Sequence, residues 1–96
     1  MPWVQIQKAA ETGWDEYQQV ARGFGDSAPD GLIYHAAGVQ EDGNWQAVSV
    51  WETREDFDRF RDERLLPLVR EVLGDELADA DPPPTEWFEA RHVLER

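Results

Sequence analysis

The chain has 96 residues, a formal net charge of −12, no cysteine and 41% hydrophobic residues. Its length suits one domain over residues 1–96, and its acidity argues against nucleic acid and anionic membrane surfaces, which reward basic proteins. Absence of cysteine excludes a disulfide framework and a thiolate metal site; no apolar run nears the roughly 18 residues of a membrane span, MPWVQIQK does not read as a signal peptide, and a cytoplasmic location is expected.

WVQIQK, residues 3–8, alternates apolar and polar side chains and predicts a first strand. Thr12 has the character of an N-cap, with Asp15 three residues on as a capping-box partner. Trp14, Tyr17, Val20, Ala21 and Phe24 recur at helical spacing, which predicts a helix over 13–22 ended by Gly23 and Gly25. DSAPDG, residues 26–31, reads as loop, and LIYHAAGV, residues 32–39, as a second strand. EDG then turns the chain into NWQAVSVWE, a third strand that makes a β-hairpin with the second.

Thr53 is placed to cap the next helix, with Glu55 and Asp56 in its first turn. Phe57, Phe60, Leu65, Leu68, Val69 and Val72 form its apolar stripe, and Glu55 stands four residues before Arg59 as an ion pair. Pro67 lacks an N–H and crowds the carbonyl of Glu63, so a kink or a break into two pieces is expected there, with Gly74 ending the second piece. DELADADPPP, residues 75–84, reads as a connector rather than a packed element, and EWFEARHVL, residues 86–94, as the last strand.

The order is βαββαβ, an α+β arrangement best satisfied by a four-stranded antiparallel sheet with two helices on one face. The other face is then bare. Soluble monomers rarely leave a large apolar patch open, so a second copy packed sheet to sheet by two-fold symmetry is expected to cover it.

Two hairpin registers are open. A three-residue Glu41-Asp42-Gly43 loop, with Gly43 left-handed, pairs Val39 with Trp45, Ala37 with Ala47, His35 with Ser49 and Ile33 with Trp51. A two-residue Asp42-Gly43 turn instead pairs His35 with Val50 and Tyr34 with Trp51. The first is favoured because it sets polar against polar. It leaves Leu32, Val48 and Val50 as an aliphatic face for the helices, and collects Trp45, Ser49, Trp51 and His35 on the other face as a mostly apolar pocket with few polar groups.

GLIYHAAGVQEDGNWQAVSVWETREDFDRF, followed by LLPLV, resembles small bacterial members of the antibiotic biosynthesis monooxygenase-like group, in the dimeric α+β barrel (ferredoxin-like) superfamily. The resemblance covers most of the chain. It implies a ferredoxin-like fold and a homodimer in which two sheets close a barrel. Its guidance on activity is weaker, because the superfamily hosts oxygenases, haem-degrading enzymes, isomerases and dehalogenases. Haem-degrading members use a first-strand asparagine, a tryptophan at the end of the third strand and a histidine on the following helix. Trp51 matches the tryptophan, but the first strand offers only Gln5 and Gln7, and residues 53–75 contain no histidine. Haem is therefore not expected, nor is any other cofactor.

His35 is the candidate base: an unperturbed pKa of about 6.5 suits proton transfer near neutrality, against the plainer role of a buried histidine bonded to Ser49 or backbone. The ligand-pocket candidates are Ile33, Trp45, Ser49, Trp51 and His92. His92 shares the side of Phe88 and Ala90 on the last strand, where a sheet edge or dimer contact would also explain it. Ser49 lacks a nucleophile-elbow glycine pattern and is better read as a hydrogen-bonding group. Trp45 and Trp51 would hold a flat ring, or fill a core or dimer contact. His35 and His92 lack the spacing of a metal motif, and the carboxylates near Thr53 serve turns and caps.

Three functions follow from these residues. One is a cofactor-independent oxygenase on a flat aromatic or phenolic substrate, with His35 as base. Another is a non-catalytic dimer that binds a small hydrophobic ligand. The third is structural, with both tryptophans filling the dimer contact.

Overall fold

A computed structural model describes residues 2–8, 13–25, 27–80 and 84–94. Strand β1 (Trp3–Lys8) leads to helix α1 (Trp14–Phe24), then to the hairpin β2 (Leu32–Val39) and β3 (Trp45–Trp51). Helix α2 (Arg54–Phe60), a π-helical turn (Arg61–Leu65) and α3 (Leu66–Leu73) make one continuous run, followed by the short α4 (Asp75–Ala78) and strand β4 (Thr85–Glu89). All neighbouring strands are antiparallel, in the order β2-β3-β1-β4. This is the ferredoxin-like arrangement, with β1 and β3 central. Among the described residues no helix is long and apolar enough to cross a membrane.

The hairpin has the three-residue loop. Gly43 takes φ 89°, Gln40 N–H bonds the carbonyl of Asn44 at 2.6 Å, and the Asp42 carboxylate accepts from Asn44 N–H at 2.9 Å. A residue with a Cβ is strained at that positive φ, so the glycine fixes the turn and the turn fixes the register. Val39 faces Trp45, Ala37 faces Ala47 and His35 faces Ser49, as the loop length requires. The expected Ile33–Trp51 pair does not form. A bulge at Ile33 sets Leu32 opposite Trp51 and shifts Tyr34 to Val50. Gly31 sits just ahead at φ 86°, its carbonyl accepting from Glu52 N–H at 2.8 Å. A Cβ at Gly31 would run into the Asp56 side chain, and the positive φ would strain any residue that carries one.

The two faces of the sheet are assigned the other way round from the expectation. The helices cover the side of Trp45, Ala47, Ser49 and Trp51, which are all buried, rather than the side of Val48 and Val50. Rings decide it: Trp51 lies 5.6 Å from both Phe57 and Phe60, and Trp45 lies 5.0 Å from Tyr17. Two tryptophans offer more area to the helices than two valines, and aromatic contacts add to that burial. Leu32 joins the tryptophan side through the bulge. The bare face carries Val4, Ile6, Val48 and Val50 at its centre, with Tyr34 59% and Phe88 52% exposed on the edge strands. Trp45 and Trp51 are therefore core residues within one chain and do not fill a contact between copies.

Several local expectations are refined. Thr12 lies outside the described residues; the described start of α1 has Gly13 at the N-cap without a side-chain bond. Gly23 does not end α1, which runs to Phe24 and stops at Gly25, φ 60°. Gly23 instead makes room for α3, since a Cβ there would lie 2.8 Å from the Leu68 methyls. Thr53 Oγ1 accepts from Asp56 N–H at 3.1 Å and donates to the Asp56 carboxylate at 2.9 Å. Asp56 rather than Glu55 pairs with Arg59. Pro67 does not interrupt the helical backbone, but the run changes character just ahead of it: a π turn over Arg61–Leu65 accommodates the missing N–H and the crowding at Glu63. Part of the predicted connector folds as α4, which buries Ala78; residues 81–83 lie outside the described residues. β4 ends at Glu89, so residues 91–94 are not strand.

Candidate functional site

Strand register builds a polar row beneath the helices. His35 on β2 pairs with Ser49 on β3, and Ser49 pairs with Gln5 on β1. Cross-strand partners share a face, so the three side chains run across the sheet on its covered side. Trp87 on β4 continues the row beyond Gln5. Ser49 is 5% exposed and Gln5 1%. His35 lies on an edge strand, so this end of the row meets solvent.

At the open end, His35 Nδ1 is 2.8 Å from Ser49 Oγ, and its Nε2 is 2.5 Å from the Tyr17 hydroxyl on α1. Both ring nitrogens are thus engaged. Partial burial of the ring pushes the His35 pKa below its usual 6.5, because the charged form loses water. Burial likewise raises the Tyr17 phenol above its usual 10.0. Both are neutral at pH 7. Trp14 stacks on Tyr17 at 5.1 Å and Trp45 lies against it, so aromatic neighbours hold the phenol in place.

At the closed end, the Trp51 indole N–H donates to Gln5 Oε1 at 3.0 Å. An indole nitrogen only donates, so it fixes which end of the amide is oxygen. Gln5 Nε2 then points elsewhere and has no hydrogen-bond partner among the described residues. Buried polar groups are usually satisfied, and leaving one unpaired costs about 1–3 kcal/mol.

The structure brings together His35, Ser49, Trp45 and Trp51 of the sequence candidates. It does not bring Ile33, which the bulge leaves 56% exposed, or His92, which lies exposed beyond the end of β4. Sequence reasoning missed Gln5 and Tyr17 as site residues. Gln5 was readable from the register that sets β1 beside β3; Tyr17 carried no sign beyond the apolar stripe of its helix. Two concavities lie elsewhere: one of about 590 Å³ over Asp62, Leu66, Pro67, Arg70 and Glu71, and one of about 380 Å³ over residues 36–40 with Gln46 and Val48. Among the described residues no group of three or more His, Asp or Glu gathers as a metal cradle.

No family model and no curated protein matches the chain. Solved structures do match. SnoaB, a cofactor-independent oxygenase from Streptomyces nogalater, superposes with TM-score 0.64 at 15% identity over 99% of this chain and 97% of its own. A Chloroflexus aurantiacus protein named for the antibiotic biosynthesis monooxygenases gives TM-score 0.65 at 13% identity, covering 99% and 98%. The heme-degrading protein Rv3592 from Mycobacterium tuberculosis gives 0.55 at 16%, covering 99% and 100%. The chain has the fold of the antibiotic biosynthesis monooxygenase-like proteins, with the ferredoxin-like sheet order seen here.

Proposed function

We propose that the chain is a homodimeric small-molecule enzyme of the cytoplasm, a cofactor-independent oxygenase that takes a flat phenolic substrate at the row His35–Ser49–Gln5. The observation that carries this reading is Gln5 Nε2, a buried donor without a partner in line with a neutral imidazole. A ligand oxygen would satisfy it. Strands about 4.8 Å apart place His35 and Gln5 two strand spacings from each other, roughly 10 Å. That span suits a fused-ring phenol with oxygen near one end and an ionisable hydroxyl near the other. SnoaB, which shares the fold, is described as a cofactor-independent oxygenase.

The chemistry needs only a base and a held anion. His35 takes the phenolic proton, as a neutral histidine with a lowered pKa can at pH 7. Gln5 Nε2 donates to the substrate oxygen where charge gathers. The electron-rich anion reduces dioxygen directly. A phenol with a free para C–H and one O2 gives a quinone and one water: four electrons pass to O2, one oxygen enters the ring, and the two hydrogens lost end in water. The bare apolar sheet face supports the homodimer, since Val4, Ile6, Val48, Val50, Tyr34 and Phe88 make a patch that a two-fold copy would cover.

A second reading, a non-catalytic ligand-binding or structural dimer, has its structural form favoured by the tight packing of Trp51, 2% exposed, against Phe57 and Phe60. Oxygen uptake separates the two. With 1-naphthol in air, the enzyme reading expects dioxygen consumed and 1,4-naphthoquinone formed one for one, lost in His35→Ala. Binding of planar phenols without uptake by any of them contradicts it.

A further inference from the structure

We infer that the Tyr17 hydroxyl, and not His35 itself, is the group that meets the substrate's acidic hydrogen, with His35 and Ser49 behind it as the proton acceptor and its brace. This rests on the oxygenase reading above and specifies how its proton leaves.

The geometry carries it. Neither nitrogen of His35 is open to a ligand: Nδ1 is bonded to Ser49 Oγ and Nε2 to the Tyr17 oxygen. Acidity favours one order of donors. A phenol is far more acidic than an alcohol and is the better donor, which assigns the Tyr17 O–H as donor to Nε2, 2.5 Å away, and Nδ1–H as donor to Ser49 Oγ, 2.8 Å away. Each bond supports the other, because a neutral imidazole has one donor and one acceptor nitrogen. Tyr17 is left with oxygen lone pairs free to accept.

The transfer then balances in one step. A substrate O–H bond breaks and its proton bonds to the Tyr17 oxygen, while the Tyr17 proton passes to His35 Nε2. The substrate becomes a phenolate, His35 becomes an imidazolium with both nitrogens protonated, and Tyr17 ends as it began. Tyr17 touches substrate and is catalytic in this scheme; Ser49 is a positioning residue that holds the tautomer. The rings of Trp14 and Trp45 set the Tyr17 ring, so removal of its oxygen alone should leave the helix in place.

The test begins with imidazole 15N NMR of the protein without ligand at pH 8. The Nδ1–H tautomer is expected, with the Nε2 resonance moved in Tyr17→Phe and the fold retained. An Nε2–H tautomer, or an Nε2 resonance unmoved by Tyr17→Phe, overturns the relay. With 1-naphthol, Tyr17→Phe should lower kcat by about a hundredfold or more while KM is held; an unchanged kcat overturns it too. If wild-type protein oxidises no naphthol, the oxygenase reading fails, yet the tautomer measurement still decides the order of the chain.

Discussion

Trp51 and Gln5 are diagonal neighbours across β3 and β1, joined by an indole N–H···Oε1 bond of 3.0 Å that orients a buried amide. The bond links the hydrophobic core to the polar row. Trp51 is held by Phe57 and Phe60 from α2, so the amide it anchors cannot turn to pair its own nitrogen. The core thus keeps an unmet donor pointed into the covered side of the sheet.

Gln5→Glu tests that environment by changing an amide for an acid of the same size. A buried carboxylate loses water, so its folded pKa rises above the unfolded value of about 4.3. The unfolded state then loses its proton first. Relative to wild type, the variant should be near-neutral in stability at pH 4 and destabilised by about 2 kcal/mol or more at pH 7. Urea midpoints at the two pH values check this; a penalty independent of pH would mean that Gln5 is not enclosed.

Trp51 separates packing from hydrogen bonding. Trp51→Ala removes a ring 2% exposed and should cost about 3–5 kcal/mol, enough to unfold a small domain. Trp51→Phe keeps most of the contact with Phe57 and Phe60 but loses the bond to Gln5, and should cost about 1–3 kcal/mol. Thermal or urea unfolding of both variants measures the split.

Much of the fold was legible because the local signals agreed. The Glu41-Asp42-Gly43 loop, the Thr53 cap and the alternation of β3 each fixed an element and its register. Alternation also sorted Trp45, Ala47, Ser49 and Trp51 from Gln46, Val48 and Val50. It did not say which set the helices cover. Period two yields two faces, and here both are largely apolar: one meets the helices and the other is bare. The bulge at Ile33 escaped because nothing in LIYHAAGV marks it; it adjoins Gly31, whose close passage beside Asp56 is a tertiary feature. Gln5 escaped because glutamine in an alternating strand reads as a solvent-facing residue, whereas a central strand under helices faces no solvent on that side. His92 was placed on a strand that ends three residues earlier, at Glu89.

His35 gives the chain a pH signature. Its folded pKa is lowered by burial, and the groups bonded to it, Tyr17 and Ser49, are uncharged near neutrality. The unfolded chain takes up this proton near 6.5, the folded chain only at lower pH. Between the two values the unfolded state binds more protons, so stability from neutral His35 is full above about pH 6.5 and is lost as pH falls toward the folded pKa. Wild type should therefore lose stability relative to His35→Gln between pH 7.5 and 5. Parallel curves would contradict the burial of the ring.

The bare sheet face predicts association. Sedimentation or light scattering at micromolar concentration should give twice the 11.1 kDa chain mass. Val50→Asp, at the centre of that face opposite Val4, should yield monomers with their helical content intact. A wild-type monomer would refute the dimer, and a Val50→Asp dimer would place its contact elsewhere.

The central claim, that the row His35–Ser49–Gln5 receives a small phenol, is met most directly by 15N–1H NMR of the protein titrated with 1-naphthol in the absence of air. Saturable shifts of the Gln5 side-chain NH2 and the Trp51 indole N–H are expected, larger than any at Val48 or Val50. Saturable shifts confined to the Val48 and Val50 face, with Gln5 and Trp51 unmoved, would contradict it.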